Sequence, residues 1–209
     1  NHKLNRLKNV KPREAIKHPN WNMGKKISID SATLINKVFE IIEAQRIFKI
    51  DIKKFEIIIH PDSYIHSFVK FINGQIKILA HDTDMKIPIF NSIYQKKIKK
   101  IKTKNINIKL LNNLNLKSVD LLRYPSVKIL NKINNKNTLF ETVLISANDE
   151  LVDLYINKKI NFLEINEFLL KIIKNKKYSK LTTKKPKKIS DIIKLSEEVR
   201  LKTRKLCIR

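Results

Sequence analysis

Glycine is nearly missing from this chain: among 209 residues only Gly24 and Gly74 occur, far apart. A dinucleotide-binding βαβ unit needs closely spaced glycines for its turn and for the approach of a pyrophosphate, so no cradle of the GxGxxG kind can be built from these residues. Cysteine is reduced to Cys207. That excludes an internal disulfide, and with no Cys/His cluster at structural-zinc spacing the expectation is a reducing compartment and no zinc site. No apolar run approaches the roughly 20 residues that cross a bilayer, and the opening Asn-His-Lys-Leu-Asn has no signal-peptide character, so a soluble chain is expected. The first residue is Asn rather than Met, which reads as the downstream part of something longer. Acidic residues are also scarce, 19 against 45 Lys plus Arg, for a formal net charge of +26. Such a balance is the electrostatic footprint of a nucleic-acid binder. Here, however, Lys outnumbers Arg 38 to 7 and is spread along the whole chain, without an RNP, KH, zinc-finger or helix-turn-helix pattern. Recognition of phosphates and base edges draws on the bidentate Arg fork. With Ile and Asn abundant as well, the composition points to A+T-rich coding, and a nucleic-acid role is the weaker reading.

What is present is a globular composition, 42% hydrophobic, long enough for one large or two small domains. Residues 1–17 read as a polar lead-in ending before His18-Pro19. Residues 20–26 read as a loop in which Trp21 and Met23 stand in polar surroundings beside Gly24; Trp21 either covers a ligand as a lid or pins the loop into the core. Phe55 to Ile59 is a strongly apolar strand, and Ile65–Phe71 with Gln75–Ala80 is a hairpin closed by Asn73-Gly74. The expected fold class is therefore an α/β domain, helices backed by a small sheet, over residues 1–95. The Lys/Asn-rich residues 96–119 follow as a linker, and residues 120–209 form an α-helical bundle with room for four helices. Lys184 to Lys188, around Pro186, is the loop before a last helix from Ile189 to Leu206.

The most informative stretch runs from His18 to Ala44. Asp30 and Ser31 are good N-cap residues, and Leu34, Ile35, Val38, Phe39, Ile41 and Ile42 repeat at helical spacing, which predicts a helix starting near Ser31. Its first turn would offer unpaired N–H groups, with the Ser31 hydroxyl, the Asn36 amide and the Lys37 ammonium as further donors to a phosphate. Glu40 falls one turn beyond Asn36 on the same face, placed to hold a divalent cation or accept a proton. The same residues also describe an ordinary capped amphipathic helix with a solvated Lys37/Glu40 pair. His66 falls on a strand, where its imidazole has either a structural or a catalytic use.

The order of the segment closely resembles the 1-deoxy-D-xylulose 5-phosphate reductoisomerase family, whose pattern HPxWxMGxKIxxDSATxxNKxxExIEA it matches. Downstream, His60-Pro61-Asp62-Ser63-Tyr64-Ile65-His66-Ser67 is similar to the family's HPQSxIHS and Asp84-Met85-Lys86-Ile87-Pro88-Ile89 to its DMRxPI. Tyr124-Pro125-Ser126-Val127-Lys128-Ile129-Leu130 is similar to its FPxLxLA, and Leu144-Ile145-Ser146-Ala147-Asn148-Asp149 to its LNAANE. The resemblance covers nearly the whole chain. It implies conversion of 1-deoxy-D-xylulose 5-phosphate to 2-C-methyl-D-erythritol 4-phosphate in isoprenoid biosynthesis, dependent on NADPH and on Mg²⁺ or Mn²⁺ (or Co²⁺). It further implies a homodimer, in bacterial cytoplasm or alternatively a plastid. His18, Ser31, Asn36, Lys37 and Glu40 would bind substrate, with Glu40 also on the metal. Met23, Gly24 and Met85 would lie near the nicotinamide cofactor and Trp21 would form the lid, with His66 and Glu43 in support. The family's NADPH domain and its remaining metal carboxylates would lie upstream of Asn1, so the chain alone is expected to lack full activity. Four departures stand out: Val38, Asp62, Thr83 and Asp149 occupy positions where the family carries a small residue, Gln, Pro and Glu. An inactive remnant or a split-gene subunit is the alternative they raise.

Overall fold

The computed structural model describes residues 3–17, 23–94 and 99–207. These fall into two compact units, the first built from residues 3–17, 23–56 and 120–207 and the second from residues 57–94 and 99–119. The division differs from a linear one at 95 and 119, because the segment around Ser31 packs with the C-terminal helices.

The first unit is helical. A 3₁₀ helix Leu4–Asn9 and the short α1 (Pro12–Ala15) lead to α2 (Lys25–Ala32) and α3 (Ile35–Phe48). After a 3₁₀ helix Pro125–Lys132 come the bundle helices α6 (Leu139–Ile156), α7 (Phe162–Lys174), α8 (Lys176–Ser179) and α9 (Ile189–Cys207). Local chemistry explains the starts of α6 and α7. Thr138 and Asn161 each form a capping box with the glutamate three residues on, Glu141 and Glu164, which satisfies two otherwise orphaned N–H groups. Both helices then bury apolar residues at helical spacing. Phe140, Leu144, Ala147 and Leu151 of α6 share one buried core with Ile165, Leu169 and Ile173 of α7, each burial contributing about 1.5–3 kcal/mol for a large aliphatic or aromatic side chain. The loop before α9 is tied to the bundle where the Leu139 N–H donates to the Lys184 carbonyl at 2.8 Å, and α9 itself starts at Ile189 as the sequence predicts. The apolar faces of α2 and α3, through Ile29, Ile35 and Val38, are buried in this same helical core.

The second unit carries the strands. β2 (Ile65–Lys70) and β3 (Ile76–Ala80) pair antiparallel with Phe68 opposite Ile78, as the alternation and the Asn73-Gly74 turn predict. Gly74 has φ +85°, a left-handed conformation in which glycine avoids the Cβ penalty. The expected strand 55–59 is only two residues long: β1 (Ile58–Ile59) pairs with β4 (Lys117–Ser118). Phe55 instead ends a 3₁₀ turn, Ile52–Lys54. Within the expected linker 96–119, the described residues 99–119 supply β4 and α5 (Ile108–Asn112), and α4 (Lys86–Ile93) precedes them. The mixed class of helices plus small antiparallel sheets holds, while the elements behind the Ser31 segment are helices of the first unit, both sheets lying in the second.

Candidate functional site

The helix that carries Ser31 begins earlier than the capping pattern suggests. Gly24 is the N-cap of α2, and Asp30 and Ser31 sit in its last turn. The chain then breaks at Thr33 and Leu34, where Leu34 takes φ +58°, and α3 starts at Ile35. Asp30 is no cap: it is 2% exposed, with one oxygen accepting from Asn148 Nδ2 at 2.8 Å and the other paired to Lys26 Nζ at 2.8 Å. The unpaired N–H groups and the positive dipole end therefore belong to the first turn of α3, at Ile35, Asn36 and Lys37, one break after Ser31.

The first two turns of α3 bring three of the sequence-selected residues together. Asn36 Nδ2 donates to Glu40 Oε1 at 2.6 Å, and Lys37 Nζ donates to Glu40 Oε2 at 2.6 Å. Lys37 and Glu40 are 46% and 44% exposed along their side chains, so water screens their attraction and the pair contributes no more than about 1 kcal/mol. An arriving anion could take Lys37 from Glu40 at little cost. The freed carboxylate then offers oxygen atoms of the kind Mg²⁺ or Mn²⁺ prefers. Val38, where the family carries a small residue, is fully buried in the core, while Lys37 beside it is exposed. Glu43 is exposed one turn beyond Glu40.

The remaining candidates are dispersed. Met23 is half-buried, and Gly24 faces open space in which an added Cβ would meet nothing within 4 Å. His66 and Met85 belong to the second unit. The His66 ring stacks on His81 with centroids 3.6 Å apart, and its Nε2 lies 3.0 Å from the His81 carbonyl oxygen. Met85 is exposed and precedes α4, whose first N–H, at Lys86, donates to Asp84 at 2.9 Å. His18 and Trp21 lie outside the described residues. Among the described residues no group of three or more His, Cys, Asp and Glu side chains is placed to hold a metal ion. No helix among them is long and apolar enough to cross a membrane.

Two further features went unassigned in the sequence. A chain of charges runs from the buried Asp30 out through the exposed Lys26 to the half-buried Asp149 at 2.9 Å and on to Arg200 at 2.8 Å, joining α2, α6 and α9. Asp149 accepts both cations. Lys26 is held in its charged form, its pKa pulled above the ordinary lysine value by Asp30 and Asp149 against the opposing effect of burial. The second feature is Ser126, which donates to the Thr33 carbonyl at 2.7 Å inside the core. Only the Asn148-Asp149 and Ser126 motif positions hinted at either.

A family model described as the 1-deoxy-D-xylulose 5-phosphate reductoisomerase C-terminal domain matches residues 1–48, and one described as the DXP reductoisomerase C-terminal domain matches residues 81–202, more than half of the chain. The chain belongs to the DXP reductoisomerase family. Similar reductoisomerases include that of Pelagibacter ubique, 54% identical over 95% of this chain and 51% of the relative. That of Aquifex aeolicus is 33% identical over 97% and 52%. The reductoisomerase of Zymomonas mobilis, solved in complex with NADPH, superposes with a TM-score of 0.81 at 29% identity, covering 98% of this chain and 51% of that one. A DOX-P reductoisomerase solved with NADPH, fosmidomycin and magnesium superposes with a TM-score of 0.85 at 27% identity, covering 99% and 50%. The chain spans about half the length of the reductoisomerases it matches.

Proposed function

We propose that this chain is the substrate-binding and C-terminal part of a DXP reductoisomerase, the enzyme that isomerises 1-deoxy-D-xylulose 5-phosphate and reduces it to 2-C-methyl-D-erythritol 4-phosphate. The observation that carries the reading is the Asn36–Glu40–Lys37 cluster on the first two turns of α3, within a chain of that family. In this reading Ser31, Asn36 and Lys37, with His18, hold the substrate and its phosphate, neutral donors and one cation sharing the charge. Glu40 is the carboxylate this chain contributes to a divalent cation. A Mg²⁺ ion needs few protein carboxylates when substrate and water oxygens complete its shell, so a single glutamate fits, with the other carboxylates supplied by an upstream segment. The bound metal would polarise the ketone and hydroxyl oxygens, and NADPH would deliver hydride. Trp21 covers the substrate, Gly24 leaves room for the cofactor, and Met23 and Met85 approach the nicotinamide, with His66 and Glu43 in support.

The working protein in this reading comprises an NADPH domain ahead of Asn1, assembles as a homodimer and acts in the cytoplasm of a bacterium, as the bacterial relatives suggest. The test is turnover by the complete protein that contains this chain, followed as NADPH oxidation with 1-deoxy-D-xylulose 5-phosphate and Mg²⁺, beside Glu40→Gln. The substitution keeps shape and removes charge. Wild-type turnover, with kcat in Glu40→Gln at least about 100-fold lower, is expected from loss of a metal carboxylate. Absence of wild-type turnover, with substrate binding also absent, would leave the inactive-remnant alternative.

A further inference from the structure

The corner between α2 and α3 is an unfavourable piece of backbone in a demanding place. Leu34 holds φ +58°, a region that residues with a Cβ adopt only when their surroundings impose it. On one side of it stands Ser31 and on the other Asn36, Lys37 and Glu40, so the corner sets how the two groups face one another. Two buried hydrogen bonds pin it from outside. Ser126, on the 3₁₀ helix after Pro125, donates to the Thr33 carbonyl at 2.7 Å, and Asn148, in the middle of α6, donates to Asp30 at 2.8 Å. Both donors are fully buried. The carboxylate of Asp30 can only accept, which fixes the orientation of the Asn148 amide and leaves its Oδ1 buried without a partner. An asparagine that sacrifices one of its own polar atoms is a poor choice for packing alone. Its value lies in what Nδ2 holds.

We propose that Asn148 and Ser126 are positioning residues: acting through Asp30 and Thr33, they fix the α2–α3 corner and so align Ser31 with Lys37 and Glu40 for a phosphate-bearing substrate. The proposal rests on the reductoisomerase reading above. Lys26, Asp149 and Arg200 are the charged groups around Asp30 and Asn148, and they brace the same corner from α2, α6 and α9.

The test compares Asn148→Ala, Ser126→Ala and the isosteric Asn148→Asp with wild type in the complete protein, measuring kcat, KM for 1-deoxy-D-xylulose 5-phosphate, KM for NADPH, and thermal unfolding. Loss of one aligning hydrogen bond is expected to raise the substrate KM about tenfold in each alanine variant while the NADPH KM stays within about twofold. In Asn148→Asp two carboxylates would face each other beside Lys26. Their repulsion should fall as pH drops from about 8 to 6 and one proton bridges them, so the substrate KM relative to wild type should recover in the same interval. The pH signature serves even if an alanine variant does not fold. A lowered unfolding temperature with the substrate KM unchanged in the alanine variants, or a KM ratio for Asn148→Asp that is flat with pH, would overturn the proposal. Should wild type neither bind nor turn over the substrate, the reductoisomerase reading fails first and this one falls with it.

Discussion

Tyr155 offers the most stringent check on the energetics. Its ring is 1% exposed, packs edge-on against Phe162 with centroids 5.7 Å apart, and its hydroxyl donates to the Val10 carbonyl at 2.9 Å, tying α6 to the N-terminal segment. Tyr155→Phe keeps the ring and deletes the hydroxyl, which leaves a buried carbonyl unpaired. The expected cost near pH 8 is about 1.5 kcal/mol, within the range for an orphaned buried acceptor. The cost should then depend on pH in a defined direction. Burial, and secondarily the nearby charge of Glu14, raise the phenol's pKa above its ordinary value of 10.0. A raised folded-state value means that the tyrosine's contribution is complete below about pH 10 and is lost as the unfolded chain ionises above it, at about 1.4 kcal/mol per pH unit. Phenylalanine cannot ionise. The deficit of Tyr155→Phe should therefore close by about pH 11 and reverse beyond it, and subtracting the two curves removes the titration of every other group. Urea unfolding followed by circular dichroism at about pH 8, 10 and 11 gives the three values needed. A cost below about 0.5 kcal/mol at pH 8, or one that does not shrink above pH 10, would refute the reasoning.

Two further outcomes are expected. Leu151→Ala, at a fully buried position on α6, should cost about 2–5 kcal/mol through lost burial and the cavity left behind, read as a lower urea midpoint. Gly74→Ala should weaken the β2–β3 hairpin by about 1 kcal/mol because φ +85° is unfavourable for alanine, with faster amide exchange confined to Ile65–Lys70 and Ile76–Ala80 and the helical unit unaffected.

The legible parts of the sequence were those decided by neighbours in the chain. Asn73-Gly74 between two alternating apolar runs produces a hairpin, and α9 begins after the Pro186 loop, because turn geometry and helix starts depend on residues within a few positions. The contact of Asn36 and Lys37 with Glu40 was readable for the same reason, since i,i+3 and i,i+4 positions meet on any helix. Asp30 and Ser31 misled because a polar pair before an apolar run looks the same whether it caps a helix or ends one. What distinguishes the two is the partner of the Asp30 carboxylate, and that partner, Asn148, is 118 residues away. Likewise the short β1 was overestimated, because a strand extends only as far as another strand is available, and its partner β4 lies within a segment whose composition reads as a linker.

The sequence by itself determined the family, the β2–β3 hairpin, the start of α9 and the set of side chains with the chemistry to bind a phosphate and a cation. Tertiary structure decided where the helix carrying Ser31 ends, which helices it packs on, and how Asn148 and Ser126 hold its corner. The physical reason is that burial and hydrogen-bond satisfaction are settled between segments distant in the chain: a buried carboxylate or carbonyl must find a donor somewhere, and only the packed fold determines which one it meets.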